Sequence, residues 1–314
     1  MTNFTTMSDS TLLPELVFRS AERTPTASAL TYGKTTLDYA SLANAMRRFA
    51  GGFLSLGLSR GERVAIYLET RFETVIASFG APVAGAVFVP INPLLKPEQV
   101  GYILRDCNVR ILVTSPERLT LLQETLTECH DLRQIVMLDS DEAKPTLGSI
   151  EVCNWSELLS QAPRPGHRLI DSDMLGILYT SGSTGKPKGV VLSHRNMVAG
   201  AKSVASYLEN RSDDTLLAAL PLSFDAGFSQ LTTAFHAGAR VVLLNYLLPR
   251  DVLKAIEREK VTGLTAVPPL YIQLMQLNWP ESITEHLRSF AYTGGRMPRE
   301  TLGALRHHLP KTKP

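Results

Sequence analysis

Short apolar runs and helically spaced apolar residues alternate along most of this chain. Between residues 37 and 53 the apolar residues recur at the spacing of one helical face, and residues 64–68 then form an unbroken apolar run typical of a buried strand. The same alternation predicts strands at 86–89, 110–114 and 134–138, with helices at 72–83 and from Pro97. Buried strands that alternate with helices indicate a parallel sheet covered by helices.

The pattern fades between residues 139 and 173, where prolines and glycines interrupt a polar stretch, and then resumes. Beyond that stretch the spacing predicts strands at 175–179, 190–192, 216–219, 241–244, 264–267 and 289–292. Helices are predicted from 194, at 225–236, 249–260 and 269–277, and from 298. We therefore expect an α/β fold with two doubly wound, mostly parallel sheets, in approximate subdomains 10–150 and 171–314 joined by the stretch 139–173.

Composition excludes several classes of protein. The 314 residues include 32 Lys and Arg and 30 Asp and Glu, so the net charge of +2 lacks the basic excess of a dedicated nucleic-acid binder. The uncharged run 74–95 could span a bilayer by length, but glycines and prolines interrupt it, and it predicts a helix, a turn and a strand instead. Three cysteines at irregular spacing fit reduced thiols better than disulfides or a zinc site. We expect a cytoplasmic protein without membrane insertion.

The most informative segment is residues 179–189, Tyr-Thr-Ser-Gly-Ser-Thr-Gly-Lys-Pro-Lys-Gly. Glycines let backbone N–H groups approach an anion, hydroxyls add neutral donors, and lysines add positive charge. Because the segment follows a predicted buried strand, it lies at the carboxyl edge of a parallel sheet, where ligands bind in open α/β folds. The candidate residues for binding the phosphates of ATP are Thr180, Ser181, Gly182, Ser183, Thr184, Gly185, Lys186 and Lys188.

Two other interpretations of this loop compete with phosphate binding of this kind. A Walker A loop requires glycine where Thr180 stands and serine or threonine where Pro187 stands, so a P-loop kinase or ATPase is disfavoured on both counts. A flexible polar hairpin between two strands is the structural alternative, and the strong bias of the eleven residues favours phosphate binding over it.

The loop closely resembles the signature of the AMP-forming adenylating enzymes, which include acyl-CoA synthetases, luciferases and the adenylation domains of peptide synthetases. Segments that resemble other blocks of that family occur in the expected order at 37–42, 61–65, 89–93, 219–222, 267–269 and 293–298. By resemblance, Gly294, Gly295 and Arg296 would lie against adenine. A weaker likeness of 223–227 and 245–250 is to the acyl-CoA ligase-type proteins associated with exosortase loci.

The resemblance implies that a carboxylate and ATP give an acyl-adenylate and pyrophosphate, and that a thiol of CoA or of a carrier protein's phosphopantetheine then takes the acyl group. The family's later motifs, with the residues for Mg²⁺ and the catalytic lysine of a small C-terminal domain, would follow Pro310. We therefore expect residues 1–314 to be a C-terminally incomplete N-terminal domain that carries no catalytic residue and is inactive alone. A non-catalytic nucleotide-binding remnant is an alternative.

Phe224, Asp225 and Gly227 are the candidate residues for binding the carboxylate substrate. A Phe-Asp pair at this place looks like amino-acid-activating domains, where the aspartate meets the substrate's ammonium group. The structural alternative is that Asp225 caps the helix that begins near Ser223. The sequence favours neither, so adenylation of an amino acid for a carrier protein stays open beside acyl-CoA ligase activity on a fatty acid.

Overall fold

Two β-sheets, each covered by helices, form the frame of the structure. The computed structural model describes residues 10–139, 143–180, 186–310 and 312. The strands are β1 (Ser28–Tyr32), β2 (Thr35–Asp38), β3 (Arg63–Tyr67), β4 (Val87–Pro90), β5 (Val109–Thr114), β6 (Gln134–Met137), β7 (Glu151–Asn154), β8 (Met174–Thr180), β9 (Lys188–Ser193), β10 (Thr215–Ala218), β11 (Arg240–Leu243), β12 (Gly263–Ala266) and β13 (Ser289–Tyr292).

The helices lie between these strands in the alternation that the sequence predicts. They are α1 (Glu15–Arg23), α2 (Tyr39–Ser55), α3 (Phe72–Ala84), α4 (Pro97–Asp106), α5 (Pro116–Leu126), α6 (Trp155–Leu159), α7 (His194–Tyr207), α8 (Asp225–Ala237), α9 (Pro249–Glu259), α10 (Pro268–Leu274), α11 (Ile283–His286) and α12 (Arg299–His308). The uncharged run 74–95 falls in α3, β4 and the turns around them, as predicted. Within the described ranges, no helix combines the length and the hydrophobicity needed to cross a bilayer.

Both sheets are mostly parallel, which confirms the predicted fold class. The seven-stranded sheet has the order β7-β6-β5-β3-β4-β8-β9, and only β9 runs antiparallel to its neighbour. The six-stranded sheet has the order β13-β12-β10-β11-β1-β2, with β2 as the antiparallel edge strand.

The sheets exchange strands across the expected junction at 139–173. The early strand β1 pairs with β11, with Leu30 opposite Val241, and the late strands β8 and β9 extend the sheet built by β3 to β7. The subdomain bounds 10–150 and 171–314 therefore do not coincide with the bounds of the sheets. Hydrophobic spacing reports which residues are buried locally, whereas the partner of a strand is fixed by packing between distant segments, so the spacing carried no sign of this exchange.

The chain also forms elements that the spacing did not predict. Leu37 lies in β2 of a short hairpin and not in the helix, because Asp38 caps α2 by accepting a 2.7 Å hydrogen bond from the backbone N–H of Ser41. The polar stretch 139–173 holds β7 and α6, whose Trp155 is buried against Phe49 at a ring-centroid distance of 5.0 Å.

His194, the first residue of α7, joins this helix to the segment that precedes α1. The ring is fully buried, and its Nδ1 accepts a 3.0 Å hydrogen bond from the backbone N–H of Leu13. That bond requires a neutral ring with an unprotonated Nδ1. Burial lowers the pKa of His194 from its ordinary 6.5 to about 4.

Stability should therefore fall as the pH drops from about 6.5 to about 4, because the unfolded chain binds a proton that the folded His194 does not. Above pH 6.5 this group leaves stability unchanged, and a shift of this size corresponds to roughly 3–3.5 kcal/mol. In His194→Asn the side-chain oxygen can accept the bond from Leu13 without titrating, so this part of the pH profile should flatten. Urea unfolding at a series of pH values measures it, and equal slopes in both proteins would contradict the assignment.

Gly227, the third residue of α8, lets this helix pass close to the preceding loop. A Cβ at this position would lie 2.0 Å from the carbonyl oxygen of Pro221 and 3.0 Å from that of Leu220. Both neighbours are backbone atoms, so relief requires a shift of the loop or of the helix.

Gly227→Ala should destabilise the fold by about 1–3 kcal/mol or more, through overpacking against that backbone. Gly200→Ala in α7 is the matched control, since a Cβ there meets nothing within 4 Å. The control should stabilise by about 0.5–1 kcal/mol, as alanine does in an open helical position. Thermal or urea unfolding of the two variants checks this, and similar stabilities would disprove the tight contact.

Candidate functional site

The carboxyl ends of the two sheets face each other. Asn245, just after β11, accepts a 3.1 Å hydrogen bond from the backbone N–H of Thr70 and donates a 2.7 Å bond to the Thr70 carbonyl. Thr70 lies just after β3, so one amide side chain joins the two carboxyl edges. The crevice between such edges is where open α/β sheets bind ligands.

The predicted phosphate loop opens at this edge. β8 runs parallel to β4 and antiparallel to β9, which places Thr180 opposite Lys188. Thr180 Oγ1 donates a 3.5 Å hydrogen bond to the Lys188 carbonyl, and both Lys186 and Lys188 are exposed. The candidate residues Ser181, Gly182, Ser183, Thr184 and Gly185 lie outside the described residues.

Helix α4 is hydrogen-bonded to the end of β8, directly before the loop. Tyr179 donates a 2.6 Å hydrogen bond to Asp106, and Tyr102 donates a 3.4 Å bond to the other oxygen of the same carboxylate. Lys186 Nζ lies 5.9 Å from the centroid of the Tyr102 ring, within the range of a cation–π contact. Burial first, and then the bond to Asp106, raise the pKa of Tyr179, so this phenol stays protonated and keeps donating.

Tyr102 and Asp106 are not among the residues that the sequence predicts for the site. Asp106 precedes its partner Tyr179 by 73 residues, and Tyr102 lies still earlier in the chain. Hydrophobic spacing carries no sign of a contact between residues so far apart in the sequence. The available signal was weak: two polar residues four apart on the same face of a helix that follows a buried strand.

A cavity of about 230 Å³ adjoins the described ends of the loop, and we call it the loop-side cavity. It lies between α4, the ends of β4 and β8, and the segment that leads into α8. Its lining includes Thr180, Pro187, Ser223 and Phe224. The Oγ of Ser223 is buried and has no hydrogen-bond partner among the described residues.

A second cavity of about 240 Å³ lies between α7 and α8 on one side and β12 and β13 on the other, and we call it the helix–strand cavity. Asp225 lines it at the first residue of α8, and Thr293 lines it just beyond the carboxyl end of β13. Gly263 and Ser289, the first residues of β12 and β13, line its other end. The cavity therefore runs along the strands from their carboxyl ends to their amino ends.

The three candidate substrate residues lie in different places. Asp225 is exposed at the end of the helix–strand cavity, whereas Phe224, 43 % exposed, lines the loop-side cavity. Gly227 is buried against Pro221. The N-cap of α8 is Phe224, without a side-chain cap bond, so the capping interpretation of Asp225 is wrong. Its carboxylate lies in the first helical turn, where the helix dipole favours negative charge.

The predicted adenine segment directly follows β13. Gly294, Gly295 and Arg296 are exposed, and Gly294 has a φ of +76°, which favours glycine. A Cβ at Gly294 would lie 3.4 Å from Val267, at the start of α10. The segment therefore offers bare backbone to a ligand next to Thr293, which lines the helix–strand cavity.

No group of three His, Cys, Asp or Glu side chains that could hold a metal ion occurs in the part of the chain that the structure describes. The three cysteines, Cys107, Cys129 and Cys153, are free thiols.

Comparison with known proteins gives relatives of two kinds. The chain is 31 % identical over 262 residues to crotonobetaine/carnitine–CoA ligase of Salmonella choleraesuis strain SC-B67, which covers 81 % of this chain and 50 % of that protein. It is 28 % identical over 299 residues to bacitracin synthase 3 of Bacillus licheniformis, with 95 % of this chain and 4 % of that protein covered. The chain thus spans half or less of the length of these relatives.

Solved structures share the fold. The anthranilate CoA ligase AuaEII in complex with anthranoyl-AMP superposes with a TM-score of 0.87 at 24 % identity, covering 96 % of this chain and 58 % of that one. The N-terminal domain of FACL13 from Mycobacterium tuberculosis gives 0.79 at 26 % identity, covering 94 % and 73 %. A family model described as AMP-binding enzyme matches residues 17–314. On that match, the chain belongs to the AMP-binding enzyme family.

Proposed function

We propose that this chain is the part of an AMP-forming ligase that binds ATP and a carboxylic acid, the two reactants of acyl-adenylate formation, and that it does not complete the reaction alone. One observation carries the proposal: the adjacent residues Phe224 and Asp225 line two different cavities. The loop-side cavity adjoins the phosphate loop, and the helix–strand cavity adjoins Gly294. A phosphate bound on one side and a carboxylate bound on the other would meet beside these two residues.

In the first step a carboxylate oxygen attacks the α-phosphorus of ATP, and the bond from that phosphorus to pyrophosphate breaks. Negative charge grows on the departing pyrophosphate and on the α-phosphate oxygens, so preorganised donors and cations lower the barrier. Thr180, Lys186 and Lys188 flank the loop at this edge, and the sequence 181–185 would supply further hydroxyls and backbone N–H groups. No protein nucleophile is needed.

The hydrogen-bonded end of β8 supports this role of the loop in stabilising charge on the phosphates. Asp106 holds Tyr179 directly before Thr180, and Tyr102 lies near Lys186 at the other end of the loop. Helix α4 therefore fixes the β8 end of the loop by a hydrogen bond and contacts Lys186 at the other end. Donors fixed before the reaction need no reorganisation when charge develops.

The nucleoside would lie on the exposed backbone of Gly294 and Gly295. Two residues without side chains let a flat base approach the backbone closely. Arg296 is exposed beside them. Mg²⁺ bound to ATP would contribute positive charge at the phosphates, and we assign it no ligand among the described residues.

In the second step a thiol sulfur attacks the acyl carbon and AMP leaves. The acceptor we propose is CoA or the phosphopantetheine of a carrier protein, since the relatives include a CoA ligase and a bacitracin synthase. We place the reaction in the cytoplasm, where ATP is available and thiols such as the three in this chain stay reduced.

Adenylation of an amino acid is the second candidate function. Asp225 favours it, because its carboxylate lies at the end of the helix–strand cavity, beside the place proposed for the reacting carboxylate. An α-ammonium group would lie within reach of this side chain. Because Asp225 is exposed, the pairing would be worth about 0–1 kcal/mol, and not the 3–5 kcal/mol typical of a buried pair.

Lys186→Ala should weaken ATP binding about tenfold or more, since a charge-assisted hydrogen bond contributes roughly 1.5–3 kcal/mol. AMP binding should change less, because AMP lacks the outer phosphates. Lys254→Ala, which removes an exposed lysine on α9, is the control and should bind ATP like the wild type. Titration calorimetry measures all three proteins, and equal ATP affinities would count against the phosphate assignment.

If the substrate is an amino acid, the protein should bind tyrosine more tightly than 3-(4-hydroxyphenyl)propanoate, which lacks only the ammonium group. Asp225→Asn should reduce this preference, by up to about fivefold for an exposed pair. The ratio of the two dissociation constants, measured with saturating AMP, reports the effect. A ratio near one in the wild type would exclude amino-acid adenylation and leave the acyl-CoA ligase as the remaining interpretation.

A further inference from the structure

The helix–strand cavity is lined by buried polar side chains that lack partners. Gln230 is 5 % exposed and Thr233 is 2 % exposed, and both line the cavity from α8. Gln230 Oε1, Thr233 Oγ1 and the Oδ1 of Asn210, a third lining residue, have no hydrogen-bond partner within the described ranges. Three such oxygens around one cavity need a physical explanation, because buried polar atoms are normally paired.

The hydrogen bonds of the Gln230 and Asn210 amides show that their unpaired atoms are acceptors. Gln230 Nε2 donates a 3.4 Å hydrogen bond to the Ala226 carbonyl, and Asn210 Nδ2 donates a 3.3 Å bond to Asp214. Asp214 is paired with Arg288 at 2.6 Å, so it is an ionised carboxylate that only accepts. Each amide therefore uses its NH₂ group on the protein and leaves its carbonyl oxygen. The unpaired set is rich in acceptors.

These acceptors lie away from Asp225. Along α8 the rise of about 1.5 Å per residue puts Gln230 about 7.5 Å and Thr233 about 12 Å beyond Asp225. Asn210 lies between α7 and β10, near the amino ends of the strands, where Gly263 and Ser289 also line the cavity. A substrate whose carboxylate lies beside Asp225 would therefore bring its far end to these oxygens.

We propose that the substrate is a carboxylic acid whose far end carries an uncharged hydrogen-bond donor, a hydroxyl or a carboxamide group. This inference rests on the proposed function and specifies its substrate class. A donor at the far end would pair with the Gln230, Thr233 and Asn210 oxygens, whereas a methyl group would leave them unpaired. Asp214 beside Asn210 is already neutralised by Arg288, so the far end holds no free negative charge for a cation among the residues described around it.

The discrimination follows from the cost of unpaired polar atoms. A site built to hydrogen-bond a substrate rejects the analogue that lacks the group, since the site's buried atoms then go without partners.

A matched pair of acids tests the inference on the full chain. ω-Hydroxyoctanoate and nonanoate have the same length and differ only in a terminal hydroxyl or methyl group. With saturating AMP, titration calorimetry should show ω-hydroxyoctanoate binding about 3- to 10-fold more tightly. Equal binding, tighter binding of nonanoate, or binding of neither acid would overturn the inference. So would tighter binding of an ω-amino acid of that length.

Two variants locate the effect. Gln230→Leu and Thr233→Val should each bring the affinity ratio of the two acids toward one. Thr232→Val is the matched control: Thr232 is also 2 % exposed, but its hydroxyl donates to the Ser229 carbonyl at 3.2 Å, and it does not line this cavity. A ratio that responds equally to Thr232→Val and Thr233→Val would overturn the assignment.

The thermal midpoints give a readout independent of binding. Thr233→Val removes an unpaired hydroxyl and should keep or raise the midpoint, whereas Thr232→Val loses a hydrogen bond and should lower it. An equal loss in both variants would mean that Thr233 is paired inside the protein, against the inference.

An ATP titration of the same samples separates this inference from the proposed function. If ATP binds and Lys186→Ala weakens it while the two acids bind equally, the inference fails and the proposed function stands. If ATP does not bind but the hydroxyl preference persists and depends on Thr233, the cavity inference stands and the proposed function fails.

Discussion

Four phenylalanine rings packed between the two sheets fix the geometry on which the candidate site depends. Phe79 of α3 and Phe88 of β4 contact Phe228 and Phe235 of α8, at ring-centroid distances of 5.4, 4.9 and 5.1 Å for the pairs 79–228, 88–228 and 79–235. Such pairs add about 0.5–1.5 kcal/mol each beyond the area they bury. Phe228 lies one turn after Phe224, so the stack holds the first turn of α8 against the seven-stranded sheet and places Phe224 and Asp225 between the two cavities.

The sequence carried most of the fold because buried parallel strands form apolar runs and amphipathic helices repeat their apolar residues. It could not reveal which sheet each strand joins. Leu30 pairs with Val241 across more than two hundred residues, and Phe88 with Gly176 across the polar stretch. The spacing places Leu37 in a helix for the same reason: its position fits the helical face, and only the cap made by Asp38 moves the start of α2 past it. These features depend on contacts or bonds that hydrophobic spacing does not encode.

Some features of the candidate site are likewise predictable from the sequence, and others depend on contacts. Composition predicts the phosphate loop, because anion binding requires a concentration of glycine, hydroxyl and lysine that few other loops need. The start of α8 at Asp225 was predicted within two residues, but the sequence did not show that the Asp225 carboxylate is exposed. Gly227 was expected to contact substrate, yet the structure gives it a tight backbone contact that only glycine permits. Sequence identifies residue types that suit a chemistry, whereas contacts decide which of them face it.

Helix α8 has one set of residues that pack in the apolar core and another set that presents polar groups to a cavity. Its Phe228, Leu231 and Phe235 are fully buried in the apolar core. A helix that served only as core would be apolar around its buried surface, because an unpaired buried oxygen lowers stability. Gln230 and Thr233 break that rule, whereas Thr232 satisfies its hydroxyl locally. The sequence does contain this signal, three polar residues among buried apolar ones, but it becomes specific only when the bonds separate the paired hydroxyl from the unpaired atoms. The stack anchors one face of α8, and this anchoring lets the helix keep unpaired polar atoms at the cavity, where a ligand can use them.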